Sequence, residues 1–293
     1  MTFRSGFVAI LGRPNVGKST LVNALVGQKV SIVTDKPQTT RARIRGIRTT
    51  DDHQIVFTDT PGFHKPRTLL GKRLNRLVEE STADVDVVVQ VVDAAAGVGR
   101  GDEFVAKRRV ASVNALKVCA VNKIDLVEEP LLMAQLEAAG KLAGFDHIVP
   151  VSAKAGRGLE ELLGVLVEAL PEGPRYYEPG DVTDQPLEHR VAEIVREKAL
   201  ALTREEIPHS VATQVEEIAR QDGLTRISCL LLVERESQKG IVIGKGGSML
   251  KQIGTLAREE LEAVLGTKVH LDLRVKVQKE WQRDASALTR LGY

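Results

Sequence analysis

The stretch from Phe7 to Val26 leaves little freedom in how the chain can begin to fold. Phe7-Val-Ala-Ile-Leu11 is an apolar run of strand length, Thr20-Leu-Val-Asn-Ala-Leu-Val26 is helix-forming, and Gly12-Arg-Pro-Asn-Val-Gly-Lys-Ser19 joins them. A strand entering a G-x-x-x-x-G-K-S loop that opens into a helix points several backbone N–H groups at one spot. The positive end of the helix dipole adds to them, and the result is a seat for phosphate. Lys18 would reach the outer phosphates and the Ser19 hydroxyl would ligate magnesium. The loop residues Gly12, Arg13, Pro14, Asn15, Val16, Gly17, Lys18 and Ser19, with Thr20 behind them, are therefore expected to line a nucleotide.

Which nucleotide is a separate question. Val118-Cys-Ala-Val121 is a second apolar strand, and it delivers Asn122, Lys123, Ile124 and Asp125 at its carboxyl end, where ligands of an open α/β sheet bind. The Asp125 carboxylate can accept from the ring N–H and the exocyclic amine of guanine. Adenine lacks that donor pair and would leave a buried carboxylate unsatisfied. Asn122 can tie the segment to the phosphate loop, and the Lys123 stem can lie along the base. Ser152, Ala153 and Lys154 follow the run Val149-Pro-Val151 and would supply backbone N–H donors to the guanine carbonyl.

Asp59, Thr60, Pro61 and Gly62 end the strand Gln54-Ile-Val-Phe-Thr58. A carboxylate there can hold magnesium through water, and Gly62 lets its N–H approach the terminal phosphate. Between the phosphate loop and Asp59 lies the polar stretch Asp35-Lys-Pro-Gln-Thr39-Thr40-Arg41, which has no helical period. A hydroxyl from it would complete the magnesium shell, with Thr40 favoured and Thr39 the alternative. The metal ligands expected are thus Ser19, Thr40 and Asp59, and the catalytic residues Lys18, Thr40 and Gly62.

Residues 1–174 resemble a Ras-like P-loop GTPase domain of the translation-factor-related class, an α/β fold with a mostly parallel sheet and helices on both faces. The resemblance implies GTP and GDP as ligands, magnesium as cofactor and slow intrinsic hydrolysis. Phe63 departs from the Ras pattern, which has a glutamine after D-x-x-G to orient the attacking water. The chain therefore resembles the GTPases in which a hydrophobic residue replaces that glutamine. Its water must be oriented by backbone, a potassium ion or a partner. Asn15 matches the asparagine that ligates potassium in some of these enzymes, and its other reading is a side chain that stabilises the loop.

The 293 residues suffice for two domains, and a net charge of +2 with 27% charged residues makes any basic surface local. Cys119 and Cys229 sit inside apolar runs and read as buried free thiols, suited to a reducing cytoplasm and not to a zinc site. Apolar stretches such as Val85 to Val92 are too short to span a bilayer, and the first strand begins too early for a signal peptide. Neither observation speaks against peripheral attachment to a membrane. Aromatic residues, at 3%, are too few for base-stacking platforms to be the main mode of RNA recognition.

Strands are predicted near 7–11, 54–58, 86–93, 117–122 and 147–151, and helices near 18–27, 69–83, 101–113, 130–143 and 158–170. That alternation implies a parallel sheet covered on both faces. Gln90 is an unexplained polar residue inside the run Val87–Val92. Residues 175–186, rich in Pro, Gly, Asp and Tyr, read as a linker. Residues 187–293 change order. A helix with the stripe Val191, Ile194, Val195, Ala199 and Leu202 is followed by strands at 211–218 and 225–235 with a turn at Gln221-Asp-Gly223. A short helix, the loop Gly244-Lys245-Gly246-Gly247, a helix from Ser248 to Leu265 and a strand from Lys268 to Val277 complete it.

This second part resembles an α+β KH domain of the second topological type, whose G-x-x-G loop clamps nucleic-acid backbone. Lys245 supplies charge there, and Lys239, Lys251 and Arg258 are either further phosphate contacts or solvated helix charges. Arg274 and Lys276 share one face of the last strand, and with Lys268, Lys279 and Arg283 they are candidates to extend that surface. A Ras-like domain followed by such a KH domain resembles the bacterial Era GTPases over essentially the whole chain, including Thr183-Asp-Gln-Pro186, residues 204–210 and the tail from Trp281 to Tyr293. The resemblance implies a monomeric switch that binds the 3′ region of 16S ribosomal RNA and acts in maturation of the 30S subunit. It also implies a cytoplasmic protein, at times peripheral on the inner membrane. Two other readings compete with a switch: a non-switching RNA-binding module, and a GTPase for a membrane or protein partner that reuses the KH fold as a contact surface.

Overall fold

The computed structural model describes residues 2–63, 66, 68–204, 207–221 and 223–293. The turn expected at residues 221–223 and the stretch 204–210 each include positions outside these, namely Asp222 and Glu205-Glu206. The chain divides into two compact units. The first takes in most residues up to Asp184, and the second is Gln185–Tyr293 together with Ile32–Thr39 and the short stretch that ends at Leu70.

In the first unit, six strands form one sheet: β1 (Arg4–Leu11), β2 (Ile44–Thr49), β3 (His53–Asp59), β4 (Val87–Asp93), β5 (Leu116–Asn122) and β6 (His147–Pro150), in the order β2-β3-β1-β4-β5-β6. All pairs are parallel except β2 with β3. The antiparallel β2, Ile44-Arg-Gly-Ile-Arg-Thr49, escapes a search for apolar runs because it is an edge strand carrying charge. The helices are α1 (Lys18–Val26), α2 (Leu69–Glu80), α3 (Arg100–Val105), α4 (Glu129–Gly140) and α5 (Leu159–Ala169). The single helix expected over 101–113 is instead α3 continued by a π-helical turn, Ala106–Val110.

Alternation along the strands builds a core on each face. Val8 and Ile10 of β1 and Val87, Val89 and Val91 of β4 pack with Leu21, Leu25, Leu162 and Leu166 of α1 and α5. Ala9, Leu11 and Val88 pack on the other face with Val78, Val105 and Val110. Gln90 points to that second face, where its Nε2 donates to the Asp102 carbonyl at 2.9 Å while its buried Oε1 has no hydrogen-bond partner among the described residues.

The expected linker is not a free tether. Tyr176 and Tyr177 N–H groups donate to Gln54 Oε1 at 2.7 and 3.0 Å, and Ile47 N–H donates to the Val182 carbonyl at 2.9 Å. Thr183 Oγ1 donates to the Arg45 carbonyl, and Arg45 pairs with Asp184 at 2.8 Å. Residues 176–184 thus cover the open edge of β2.

In the second unit, α6 (Leu187–Leu202) and α7 (Ile207–Ser210) precede β7 (Ala212–Gln221) and β8 (Leu224–Val233), and α8 (Glu236–Ile243), α9 (Ser248–Leu265), β9 (Lys268–Val277) and α10 (Ala285–Arg290) follow. β7 pairs antiparallel with β8, and β8 parallel with β9. The predicted stripe of α6 packs against β8 and α9 through Val191, Val195, Ala199, Cys229, Leu231, Ile253 and Leu261. The buried charges of α6 have local partners: Arg196 pairs with Glu193 and donates to the Thr39 carbonyl, and Glu197 accepts from Val33 N–H at 2.8 Å. The tail folds back, with the Trp281 indole buried and donating to the Ser210 carbonyl at 2.9 Å. Both cysteines are buried, and burial pushes each thiol up to about 12.

Candidate functional site

The carboxyl ends of five neighbouring strands deliver the polar residues of the first unit to one rim of the sheet. Strand register does much of this: Ile10 lies beside Asp59, and Asp93 beside Asn122. The phosphate loop leaves β1 at Gly12, where a Cβ would come within 2.6 Å of the Val91 carbonyl oxygen, and φ is +154°. Gly17, at φ +97°, lies against the Asn122 carboxamide, so a side chain there has neither the conformation nor the space. Gly62 packs as closely, since its Cβ would sit 2.8 Å from Pro14 Cα.

The Lys18 ammonium is buried and donates to the Arg13 carbonyl at 2.9 Å. Burial pushes Lys18 down to about 8, opposed by the nearby Asp59 carboxylate. Ser19 Oγ and Thr40 Oγ1 lie 3.0 Å apart, and Thr40 Oγ1 is 3.4 Å from Asp59 Oδ2. Thr39 turns away, with its hydroxyl 2.5 Å from Thr34 Oγ1 and donating to the Lys36 carbonyl at 2.7 Å. Of the two threonines left open by the sequence, the structure brings Thr40 to the cluster. Asp59 is fully buried, its Oδ1 has no hydrogen-bond partner among the described residues, and desolvation raises its pKa. Two hydroxyls and a half-satisfied carboxylate are a hard oxygen set that fits magnesium.

Thr60, expected among the ligand contacts, spends its hydroxyl on the Ile10 carbonyl at 2.7 Å. Pro61 is buried. Phe63 is buried too, stacked on Phe104 with ring centroids 5.2 Å apart and under the Arg109 guanidinium at 4.7 Å. Its ring belongs to the apolar core of that face of the sheet.

Asn122 joins three segments. Its Nδ2 donates to the Val16 carbonyl at 2.9 Å and its Oδ1 accepts from Ala153 N–H at 3.0 Å. Lys123, at φ +66°, reaches the Asn15 carbonyl at 2.9 Å and Asp93 Oδ2 at 2.6 Å. Asn15 itself has φ +65°. Ile124 N–H donates to the Val151 carbonyl at 3.3 Å. Asp125 is exposed, with Ser152 Oγ donating to it at 2.5 Å, and that hydrogen bond lowers its pKa.

Two expectations change here. Asp125 is not buried by the protein, so the bound base itself must cover it. Ser152 N–H is spent on the Arg157 carbonyl at 2.9 Å, and Ala153 N–H reaches a base only by sharing its bond to Asn122, so of the three expected donors Lys154 N–H is the one with no bond among the described residues. Sequence reasoning missed Asp93 and Asp102 and left Gln90 without a role, because aspartate and glutamine beside apolar runs give no motif by themselves.

The second unit carries its own glycine loop between α8 and α9. Gly244, Gly246 and Gly247 have φ of +72°, +59° and +82°. A Cβ at Gly244 would meet Met249 at 2.8 Å, whereas Gly246 and Gly247 face open space. Lys245 and Lys251 are exposed and Lys239 is half-buried. A groove runs from Gly247 along Leu250, Lys251, Gly254, Thr255 and Arg258 of α9, walled by Leu271 and Leu273 of β9. Neither Lys239 nor Lys245 lines it. Arg274 and Lys276 alternate with Leu271 and Leu273 and so lie on the opposite face of β9, with Arg274 paired to Glu216 and Asp272. They do not extend the groove.

Residues 7–123 match the family described as 50S ribosome-binding GTPase, and residues 206–282 match the KH domain. The chain is 51% identical over 296 residues to the GTPase Era of Mycolicibacterium smegmatis, with 99% of each chain covered. It is 52% identical over 297 residues to that of Mycobacterium tuberculosis, again with 99% of each covered. Among solved structures, Era in complex with MgGDPNP and nucleotides 1506–1542 of 16S ribosomal RNA superposes with a TM-score of 0.96 at 39% identity, covering 99% of both chains. An Aquifex aeolicus Era variant bound to GDP and aluminium fluoride matches with the same values.

Proposed function

The chain belongs to the Era family of GTPases, and from that premise we propose that it is a GTP-hydrolysing switch that binds the 3′ region of 16S ribosomal RNA and acts in assembly and maturation of the 30S subunit. Residues 1–174 form its GTPase domain, 175–186 the linker and 187–293 the KH domain with its tail. The observation that carries the nucleotide half is Asn122, which clamps Val16 of the phosphate loop to the segment holding Ser152 and Asp125. Phosphate and base recognition are thereby locked into one geometry.

Backbone N–H groups of residues 15–19 hold the phosphates, and the Lys18 ammonium faces the outer ones. Asp125, steadied by Ser152, accepts the guanine donor pair. Ser19, Thr40 and, through water, Asp59 would hold magnesium, which when bound neutralises charge on the phosphate oxygens. Gly62 presents its N–H to the terminal phosphate. Phe63 contributes packing only, so backbone, potassium or a partner orients the water. Comparison of the turnover rate in sodium and in potassium tests Asn15; equal rates leave it as a loop-supporting side chain.

Titration with GTP, ATP and xanthosine triphosphate tests the base assignment. Asp125→Asn should weaken GTP and improve xanthosine triphosphate, whose base presents a carbonyl in place of the amine. Equal ATP and GTP affinity in the parent would sink the assignment.

In the KH domain the Gly244–Gly247 loop approaches the RNA backbone, and Lys245, Lys251 and Lys239 supply charge. The groove beside α9 takes the bases. RNA should bind the GTP form more tightly than the GDP form, and RNA should tighten GTP by the same factor, ~5–150-fold for coupled sites. Three equal RNA affinities, with a GTP analogue, GDP and no nucleotide, would favour two tethered modules over a switch. The protein acts as a monomer in the cytoplasm and, in part, peripherally at the inner membrane. Its described helices include none long and apolar enough to cross a membrane.

A further inference from the structure

Asp102, in the first turn of α3, is a fully buried carboxylate that the nucleotide-binding motifs do not use. Its two oxygens each lie 3.1 Å from Arg13 Nε, and Oδ2 also accepts from Gly99 N–H at 3.0 Å. Its carbonyl accepts from the Gln90 side chain at 2.9 Å, so α3 is tied at this residue to the centre of the sheet. Arg13 Nη2 donates to the Gly97 carbonyl at 3.1 Å. A Cβ at Gly101 would lie 3.2 Å from Arg13 Cδ, so the guanidinium stem rests on the helix backbone. The Arg13 side chain is therefore directed out of the phosphate loop toward α3, while its carbonyl accepts from Lys18 Nζ inside the loop.

We propose that Asp102 is a positioning residue for the phosphate loop: by fixing Arg13 against α3 it sets the carbonyl to which the Lys18 ammonium is bonded, and so the place where Lys18 meets the nucleotide phosphates. The inference rests on the nucleotide-binding reading given above. The loop has little regular hydrogen bonding to hold its backbone, with positive φ at Gly12, Asn15 and Gly17. A guanidinium whose Nε is held by a buried carboxylate and whose Nη2 is held by the Gly97 carbonyl supplies rigidity that the backbone lacks. Desolvation raises the Asp102 pKa, opposed by Gly99 and Arg13, as expected for a carboxylate that depends on its partners. The same turn of α3 carries Phe104, stacked on Phe63, so it braces the loop and the residue after Gly62 together.

A helix-capping role alone would also use the bond from Gly99, and the two roles separate by measurement. Binding of a fluorescent GDP analogue and thermal melting are followed in the parent, Asp102→Asn, Arg13→Gln, the double variant and Arg13→Lys. Positioning predicts that each single variant weakens GDP roughly tenfold and that the double is no weaker than the worse single, the non-additivity of residues in one network. Arg13→Lys keeps charge but cannot reproduce the guanidinium contacts, and it should fail to restore affinity. In turnover the loss should fall on KM for GTP more than on kcat. The double variant replaces the ion pair by two neutral amides, so no buried charge is left alone to unfold it, and Arg13→Lys is milder still. A lowered melting temperature with GDP affinity within about twofold of the parent in these folded variants would overturn the proposal and leave Asp102 a cap. A parent that fails to bind GDP would instead defeat the nucleotide reading itself.

Discussion

The Gly12–Ser19 loop and the Gly244–Gly247 loop each hand a left-handed glycine to the start of a helix, Gly17 at φ 97° before α1 and Gly247 at φ 82° before α9. Each leaves first-turn N–H groups without a side-chain cap and therefore open to an anion. They differ in what surrounds them. The first loop is clamped by Asn122, Lys123 and, through Arg13, Asp102, and its glycines are pressed against protein. In the second, Gly246 and Gly247 have open space where a side chain would go. A closed loop suits one small ligand held in fixed geometry. An open one suits a polymer whose backbone must pass over it, and there the missing side chains serve the ligand, not the packing.

The largest effect should come from filling the closed loop. Gly17→Ala meets both a forbidden backbone conformation and the Asn122 carboxamide, and GDP affinity measured by calorimetry should fall roughly 100-fold, the equivalent of a strained residue. If affinity held, the loop would be looser than its packing implies. Next, Lys245→Asp with Gly246→Asp places two charges in the open loop. RNA affinity should drop roughly tenfold or more, and the slope of its salt dependence should shrink by about one, with GDP binding intact. Unaltered RNA affinity would move the site away from this loop.

A subtler difference lies in protonation. Burial in the closed loop pushes Lys18 down to about 8, below the ordinary 10.5 of lysine. Between those values the unfolded chain holds more protons than the nucleotide-free fold, so the burden of this buried charge is full below pH 8 and fades as pH rises. Bound phosphates favour the ammonium, so binding above pH 8 takes up a proton. GDP affinity should then fall with rising pH, by at most about tenfold per unit. A flat profile from pH 7 to 10 would show that Lys18 stays charged without nucleotide. The smallest effect should be Gly246→Ala. It meets no neighbour and has only the left-handed conformation against it, about 1–2 kcal/mol seen in the melting of the second unit. A larger loss would mean that this loop is also packed from outside.

Short motifs were legible because their chemistry is local. G-x-x-x-x-G-K-S, D-x-x-G, N-K-x-D and G-K-G-G each need particular residue types within a few positions, and strand–helix alternation follows from apolar period. β2 was not legible, since an edge strand needs no apolar run, and Asp93 and Asp102 had no signature because their partners lie far away in sequence.

By itself the sequence determined the fold class, the family and the residue types at both glycine loops, because backbone conformation, phosphate chemistry and hydrophobic period are written within a few residues of one another. Only the tertiary structure brought the Thr40 hydroxyl, and not that of Thr39, beside Ser19 and Asp59, placed Arg274 and Lys276 on the face of β9 away from the groove, strapped residues 176–184 to a strand edge and gave the Gln90 Nε2 an acceptor. In each case the deciding quantity is which groups share a desolvated neighbourhood. A polar atom there must find its partner wherever the chain happens to bring one.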